Sequence, residues 1–79
     1  MVKNIVPLSI VPPGRKAIVE KLISTGIIRR RMLDLGLITG TEIEVLQKSP
    51  SGDPTAYNIR GAVIALRSED AGKILVQLI

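Results

Sequence analysis

The sequence of 79 residues lacks cysteine and histidine, two of the side chains that most often do chemistry in proteins. Without cysteine there is no disulfide, no thiolate metal site and no thiol nucleophile. Without histidine, the most frequent general base and the most frequent transition-metal ligand are missing as well. The lack of cysteine fits a reducing cytoplasm. Together the two absences predict a protein that is not an enzyme and that carries no metal site and no cofactor.

Aromatic residues are almost absent too. There is no Trp or Phe, and Tyr57 is the only Tyr. Proteins that bind single-stranded nucleic acids stack bases on aromatic side chains, and the peptide grooves of SH3 domains are also lined by aromatic residues. The near absence of aromatic residues therefore argues against both kinds of binding. The net charge of +4 leaves a basic nucleic-acid-binding barrel open as a minor alternative. We nevertheless expect that the chain binds no nucleic acid.

Long apolar runs are the third absence. No run approaches the roughly 20 residues of a membrane span, and the N-terminus lacks the apolar core of a signal peptide. We therefore expect a soluble, cytoplasmic protein. The hydrophobic content is still 46% and comes mostly from Ile, Leu and Val, of which the β-branched members favour pleated sheets. This size and composition predict one small β-rich domain over residues 1–79.

The stretch from 29 to 48, RRRMLDLGLITGTEIEVLQK, organises the predicted fold. Apolar residues at 28, 32 and 35 share one face of a helix that runs from about Gly26 to Leu35. Gly36 follows, at the position where many helices end in a left-handed residue that glycine adopts without strain. Gly40 permits a turn, and polar and apolar residues then alternate from Thr41 to Val45, as in a half-buried strand.

Five strands are predicted in all, and they cover residues 16–23, 42–48, 55–60, 62–67 and 73–78. Tyr57 and Ile59 are predicted to point inward, and Ile64 and Leu66 alternate with their neighbours in the next strand. Three prolines keep the lead-in, residues 1–13, from being a central strand, and we expect it to lie extended over an edge. Either Ser24 or Thr25 is expected to cap the helix. A short 3₁₀ turn capped by Ser68 precedes the last strand. The sequence thus predicts a small, mainly β barrel with one short helix between the first two strands.

Two pairs of acidic residues are the best remaining candidates for chemistry. Glu42 and Glu44 lie on one face of a strand, and Glu69 and Asp70 are adjacent. A solvated strand face and the start of a helix favour acids for structural reasons, so we interpret both pairs as structural. The glycines follow no phosphate-loop spacing, and binding of ATP or GTP is not expected.

The three consecutive arginines, Arg29, Arg30 and Arg31, are the most conspicuous charged feature. On a helix they fan over roughly 200° and form no single flat patch. Leu33 points away from the predicted buried face, and Leu37 lies at the corner after the helix. Apolar residues beside arginines are typical of protein contacts. The alternative is that the strands simply cover these leucines.

Taken together, these elements resemble the FeoA family, the small SH3-like partner of the bacterial ferrous iron transporter FeoB. The resemblance runs from about Pro7 to the C-terminus. It rests on the order and spacing of a set of short motifs: Pro7-Leu8-Ser9, Gly14, Met32-Leu33-Asp34-Leu35-Gly36-Leu37, Gly40-Thr41, Ile43-Glu44-Val45, Pro50, Gly52-Asp53-Pro54, Arg60-Gly61, Ile64-Ala65-Leu66-Arg67, Ala71, Ile74 and Val76.

The resemblance implies a five-stranded SH3-like barrel that acts as a non-catalytic accessory protein. It would dock on the cytoplasmic, GTP-binding part of FeoB, reach the membrane only through that transporter, and be a monomer in isolation. We expect Arg30, Arg31, Leu33 and Leu37 to carry much of the partner-binding surface. The alternative is a stand-alone metal-responsive domain like the C-terminal module of iron-dependent repressors. Because soft and imidazole ligands are absent, any iron binding would rest on carboxylates and be weak.

Overall fold

A computed structural model of the chain describes residues 4–79 and has a mainly β architecture. Its strands are β1 (Ile5–Pro7), β2 (Lys16–Leu22), β3 (Glu42–Lys48), β4 (Thr55–Ile59), β5 (Ala62–Leu66) and β6 (Ile74–Leu78). The helices are α1 (Gly26–Asp34) and the single turn α2 (Ser68–Ala71), and a 3₁₀ turn covers Leu8–Ile10. The predicted fold class, a mainly β fold with one helix between the first two long strands, is confirmed.

All strands of the described chain belong to one antiparallel sheet in the order β1-β6-β2-β3-β4-β5. Its inner face carries an aliphatic core around Tyr57, whose side chain is 2% exposed. The inward residues alternate along the strands, because successive side chains point to opposite faces. Tyr57 and Ile59 are buried, as predicted, and the same core buries Leu66 and half-buries Ile64.

A bulge in β2 explains why the alternation of the first strand was ambiguous in the sequence. Ala17 and Val19 are buried, and so is Leu22, which has the opposite parity. The register with β6 shifts between Val19 and Lys21. An extra residue at that point turns the following side chains to the other face and bends the strand, so both halves of β2 contribute to the same core.

Strands β4 and β5 form a hairpin closed by the two residues Arg60 and Gly61. Both have positive φ, 53° and 85°, as the two-residue turn that matches the twist of a hairpin requires. The Asn58 side chain accepts a hydrogen bond from the Gly61 N–H at 3.1 Å. Arginine is an unusual residue at the first of these left-handed positions, which Asn, Asp and Gly normally occupy.

The structure differs from the prediction in several local details. Six strands are present instead of five, because Ile5–Pro7 of the lead-in pairs with β6 as a short edge strand; residues 1–3 lie outside the described part. The turn before the last strand is α-helical rather than 3₁₀, and its N-cap is Arg67 instead of Ser68. Thr25 is the N-cap of α1, but its side chain makes no capping hydrogen bond.

No helix within residues 4–79 is long and apolar enough to cross a bilayer.

Candidate functional site

Helix α1 rests on the barrel through a small part of its surface. Met32 is its only buried residue, and the Arg29 guanidinium ties the helix to the end of β2 by donating to the Leu22 carbonyl at 3.0 Å. Most of α1 is therefore presented to solvent, which is the position expected of an element that contacts a partner.

The C-terminus of α1 ends in a Schellman motif around Gly36, whose φ is +93°. The Gly36 N–H donates to the Leu33 carbonyl at 3.0 Å, and the Leu37 N–H donates to the Met32 carbonyl at 3.1 Å. This motif commonly brings the residue after the glycine into hydrophobic contact with the last turn of the helix. Leu37 is fully buried together with Met32.

The burial of Leu37 corrects one of the four residues predicted for the partner-binding surface. A side chain with 0% exposure contributes to the core and offers nothing to a partner. The other three residues do lie at the surface. Arg30 and Arg31 are exposed, and 40% of Leu33 is accessible.

Ile27 is the most exposed large hydrophobic residue of α1, and no sequence pattern singled it out. Its side chain is 85% accessible, and it lies three and four positions before Arg30 and Arg31, so it shares their side of α1. This spacing from the arginines is the feature of the sequence from which its place beside them could have been predicted. We define the helix face as Ile27, Arg30, Arg31 and Leu33.

The surroundings of the helix face are unusually apolar for a solvated surface. Of the ten large hydrophobic residues that are exposed within the described chain, five lie between positions 23 and 38: Ile23, Ile27, Ile28, Leu33 and Ile38. Single exposed aliphatic residues need no explanation, whereas a concentration of them around a few cations is typical of protein contact sites.

The cations of the helix face are not neutralised by another residue within positions 4–79. Neither Arg30 nor Arg31 forms an ion pair with another residue of the described part, although Asp34 lies one turn away. Arg31, in the last turn of α1, is placed where the helix dipole favours a positive charge. Both guanidinium groups thus remain available to acceptors on a second molecule.

A polar cleft of about 540 Å³ adjoins the corner after the helix. Two threonines hold the corner in shape: Thr41 donates to the Gly36 carbonyl at 2.8 Å, and Thr39 donates to the Glu20 carbonyl at 3.1 Å. The lining combines the corner with the outer face of β3 and the β4–β5 turn, and it consists of Ile38, Thr39, Gly40, Thr41, Glu42, Glu44, Asn58, Arg60 and Gly61.

Glu42, Glu44 and Arg60 line the same cleft. The sequence placed the two acids and the arginine on different strands and did not predict that they meet. The stem of Arg60 lies against Gly36, so the helix corner and the β4–β5 turn are in direct contact. Within residues 4–79 no group of three or more His, Cys, Asp or Glu side chains is arranged to hold a metal ion. The cleft thus combines two carboxylates with one guanidinium.

The family model described as "FeoA domain" matches residues 6–78 of the chain. A curated protein of Porphyromonas gingivalis, named as a fusion of Fe(2+) transport protein A and the Fe(2+) transporter FeoB, is 39% identical over 72 residues. The match covers 91% of this chain but only 8% of that protein, so the chain corresponds to a small part of its curated relative.

Solved structures carry the same fold. The solution structure of a FeoA-like protein from Clostridium acetobutylicum is 35% identical, with a TM-score of 0.89, and the match covers 100% of this chain and 91% of that one. The zinc complex of Stenotrophomonas maltophilia FeoA, described as a prokaryotic SH3 domain protein, is 30% identical, with a TM-score of 0.78 and coverages of 87% and 86%. The SH3-like fold is thereby confirmed.

A more distant likeness concerns the fold alone. A manganese-dependent transcriptional repressor is 18% identical with a TM-score of 0.87, and the match covers 100% of this chain and 44% of the repressor. Identity this low carries no inference about metal response.

Proposed function

The chain belongs to the FeoA family, and on that basis we propose that it is a non-catalytic accessory protein of ferrous iron uptake, which docks on the cytoplasmic, GTP-binding part of a FeoB-type transporter and modulates it. The observation that best supports this proposal is that a FeoA part and a FeoB part form one chain in the relative from Porphyromonas gingivalis. Fusion holds two parts together at a fixed ratio and a high effective concentration. A separate FeoA chain has to reach the same association by binding.

The helix face is the surface that we propose for this contact. Leu33 and Ile27 supply apolar area that is lost from water on docking, while Arg30 and Arg31 supply unpaired donors. Arginine suits this position because its guanidinium is weakly hydrated and binds carboxylates in a bidentate way. The proposed site sits in the cytoplasm, and the free protein is proposed to be a monomer that approaches the membrane only through the transporter.

Binding of purified chain to the cytoplasmic domain of a FeoB-type transporter tests the proposal directly. Calorimetry is run with and without guanine nucleotide, using the wild type, Leu33→Asp, and the double change Arg30→Glu with Arg31→Glu. A buried charge in place of Leu33 is expected to weaken binding by about tenfold or more. Reversal of two charges is expected mainly to slow association, with an effect that shrinks at high salt.

Matched controls carry the same chemical changes elsewhere on the surface. Ile10→Asp alters a side chain that is 63% exposed outside the helix face, and Arg15→Glu with Lys73→Glu reverses two other exposed cations. If the control variants bind like the wild type while the helix-face variants bind more weakly, the helix face is supported as the docking surface. Absence of binding by the wild type rejects docking itself. Equal binding by all folded variants rejects only the helix face.

A further inference from the structure

The polar cleft beside the helix corner contains two carboxylates that no cation of the described chain neutralises. Glu42 is exposed and Glu44 is half-buried on the outer face of β3, and neither forms an ion pair within residues 4–79. Because they are two positions apart on one strand, they point to the same side and lie roughly 7 Å from each other along it. The cleft of about 540 Å³ is in the size range of sites that bind organic groups.

Two cations lie near these carboxylates without pairing with them. The stem of Arg60 lies against Gly36, and Lys16 is the cross-strand neighbour of Glu44 on β2 but does not line the cleft. Neither cation forms an ion pair in the described part of the chain. Two carboxylates and one guanidinium line the cleft, so its lining is negative on balance, although the whole chain has a net charge of +4.

The threonines of the corner can act only as acceptors toward a bound group. A hydroxyl has one proton to donate, and Thr39 and Thr41 both donate theirs to backbone carbonyls of the barrel. Ionised carboxylates also accept hydrogen bonds without donating any. Four of the lining side chains therefore present acceptors alone, and the donors of the lining side chains are the Asn58 amide and the Arg60 guanidinium, both from the β4–β5 hairpin.

An arginine side chain has the donors that this set of acceptors requires. Its guanidinium carries five N–H donors and no acceptor, in a planar fork that matches carboxylate geometry, and its charge offsets the excess negative charge of the lining. A lysine ammonium has only three donors on a point charge. A metal ion fits less well, because within positions 4–79 no group of three or more His, Cys, Asp or Glu side chains is arranged to hold one.

The position of the cleft indicates which molecule supplies the arginine. Ile38 lines the cleft and, at 49% exposed, also belongs to the apolar surroundings of the helix face, so the two surfaces are continuous. A protein that docks on the helix face therefore reaches the cleft across this corner and is held over it at a high effective concentration. A second copy of the chain would have to compete with that docked partner for the same corner.

We propose that the cleft receives an arginine side chain of the docked transporter part, whose guanidinium pairs with Glu42 and Glu44 and donates to the two threonine hydroxyls. This inference rests on the proposed function and deepens it, because the helix face would bind carboxylates of the partner while the cleft binds a cation. Two contacts of opposite sign fix the orientation of the partner, since a reversed partner would place like charges together.

Calorimetry with the cytoplasmic domain of a FeoB-type transporter tests the role of the cleft in docking. The double change Glu42→Gln with Glu44→Gln should weaken binding by about tenfold or more, because the partner's guanidinium is then desolvated without a counter-charge. The matched control, Glu69→Gln with Asp70→Asn, neutralises two acids of α2 outside the cleft lining and should bind like the wild type. Wild-type binding that the cleft change leaves intact overturns this inference alone. Absence of wild-type binding rejects docking and the inference together.

A titration with a small probe tests the chemistry of the cleft without the transporter. The probe is acetyl-arginine amide, followed by amide NMR shifts of the full chain, and acetyl-citrulline amide is its uncharged counterpart. The arginine probe should shift the amides of residues 39–44 and 58–61, and the citrulline probe at equal concentration should shift them at most about a third as far. Equal shifts by the two probes, or shifts that map elsewhere, overturn the proposal. So does a dimer in sedimentation equilibrium that the cleft change dissociates, because the occupant is then a second copy.

Discussion

Gly36 and Arg60 touch across the corner of the barrel: a Cβ at Gly36 would lie 2.6 Å from the Arg60 Cδ. The contact joins the end of α1 to the β4–β5 turn, and Arg60 also lines the polar cleft. Two departures from ordinary backbone geometry meet here, since Gly36 has a φ of +93° and Arg60 is a left-handed residue that is not glycine. A side chain at position 36 is therefore disfavoured for two reasons: the backbone is left-handed, and the Arg60 stem would have to move.

Replacement of Gly36 by alanine should lower the free energy of unfolding by about 1–3 kcal/mol. Gly40→Ala is the matched control, because Gly40 has the same φ of +93° and nothing within 4 Å of an added Cβ. The difference between the two, measured by urea unfolding, isolates the contact with Arg60. Adding Arg60→Asn, which suits a left-handed turn, should restore part of the loss in Gly36→Ala. Equal losses at 36 and 40 would show that the contact is unimportant.

The two leucines near the end of α1 should respond differently to truncation. Leu37→Ala removes a fully buried side chain and should cost about 2–5 kcal/mol of stability. Leu33→Ala removes a side chain that is 40% exposed and should cost no more than about 1 kcal/mol. Chemical denaturation of both variants measures the difference. Similar losses would contradict the burial of Leu37.

Asp53 links the longest loop to α2, because its Oδ1 accepts a hydrogen bond from the Ser68 N–H at 2.8 Å. A carboxylate at this position satisfies a backbone donor that has no partner within the helix. Asp53→Ala should lower the free energy of unfolding by about 0.5–2 kcal/mol, whereas Asp53→Asn keeps the acceptor and should lose less. Thermal unfolding of the two variants beside the wild type measures both losses. Identical values for Ala and Asn would argue against the bond.

Tyr57 should make stability depend on pH only in alkaline solution. Burial raises the pKa of its hydroxyl above the ordinary value of about 10, the Asp53 carboxylate raises it further, and a hydrogen bond with Thr55 lowers it. The folded state thus holds this proton more tightly than the unfolded state does. Its contribution is fully present below about pH 10 and is lost as the pH rises through the folded pKa.

Comparison of the wild type with Tyr57→Phe separates the contribution of Tyr57 to the pH dependence of stability from that of the lysines, which titrate in the same pH range. The difference in free energy of unfolding between wild type and variant should be constant up to about pH 10 and then shift in favour of the variant. A difference that is constant at every pH would show that the Tyr57 pKa is the same folded and unfolded.

Local patterns determined much of the architecture. The helix start at Gly26, the turn at Gly40 and the strands after it depend on residues within a few positions of one another, so spacing and glycine placement were enough to predict them. The period of α1 also placed Leu33 away from the buried face, but it left open whether the strands cover that side chain. The burial of Leu37 could not be predicted in this way, because it depends on the path that the chain takes after the helix ends.

Only the tertiary structure decided which distant segments meet. The pairing of Ile5–Pro7 with β6, the contact of Arg60 with Gly36 and the bulge in β2 depend on how the whole sheet closes over one core. The open edge of β5 is of the same kind, since a strand is an edge only by virtue of what the remaining strands cover. Sequence spacing encodes contacts between near neighbours, whereas these relationships arise from burying apolar surface across the entire chain.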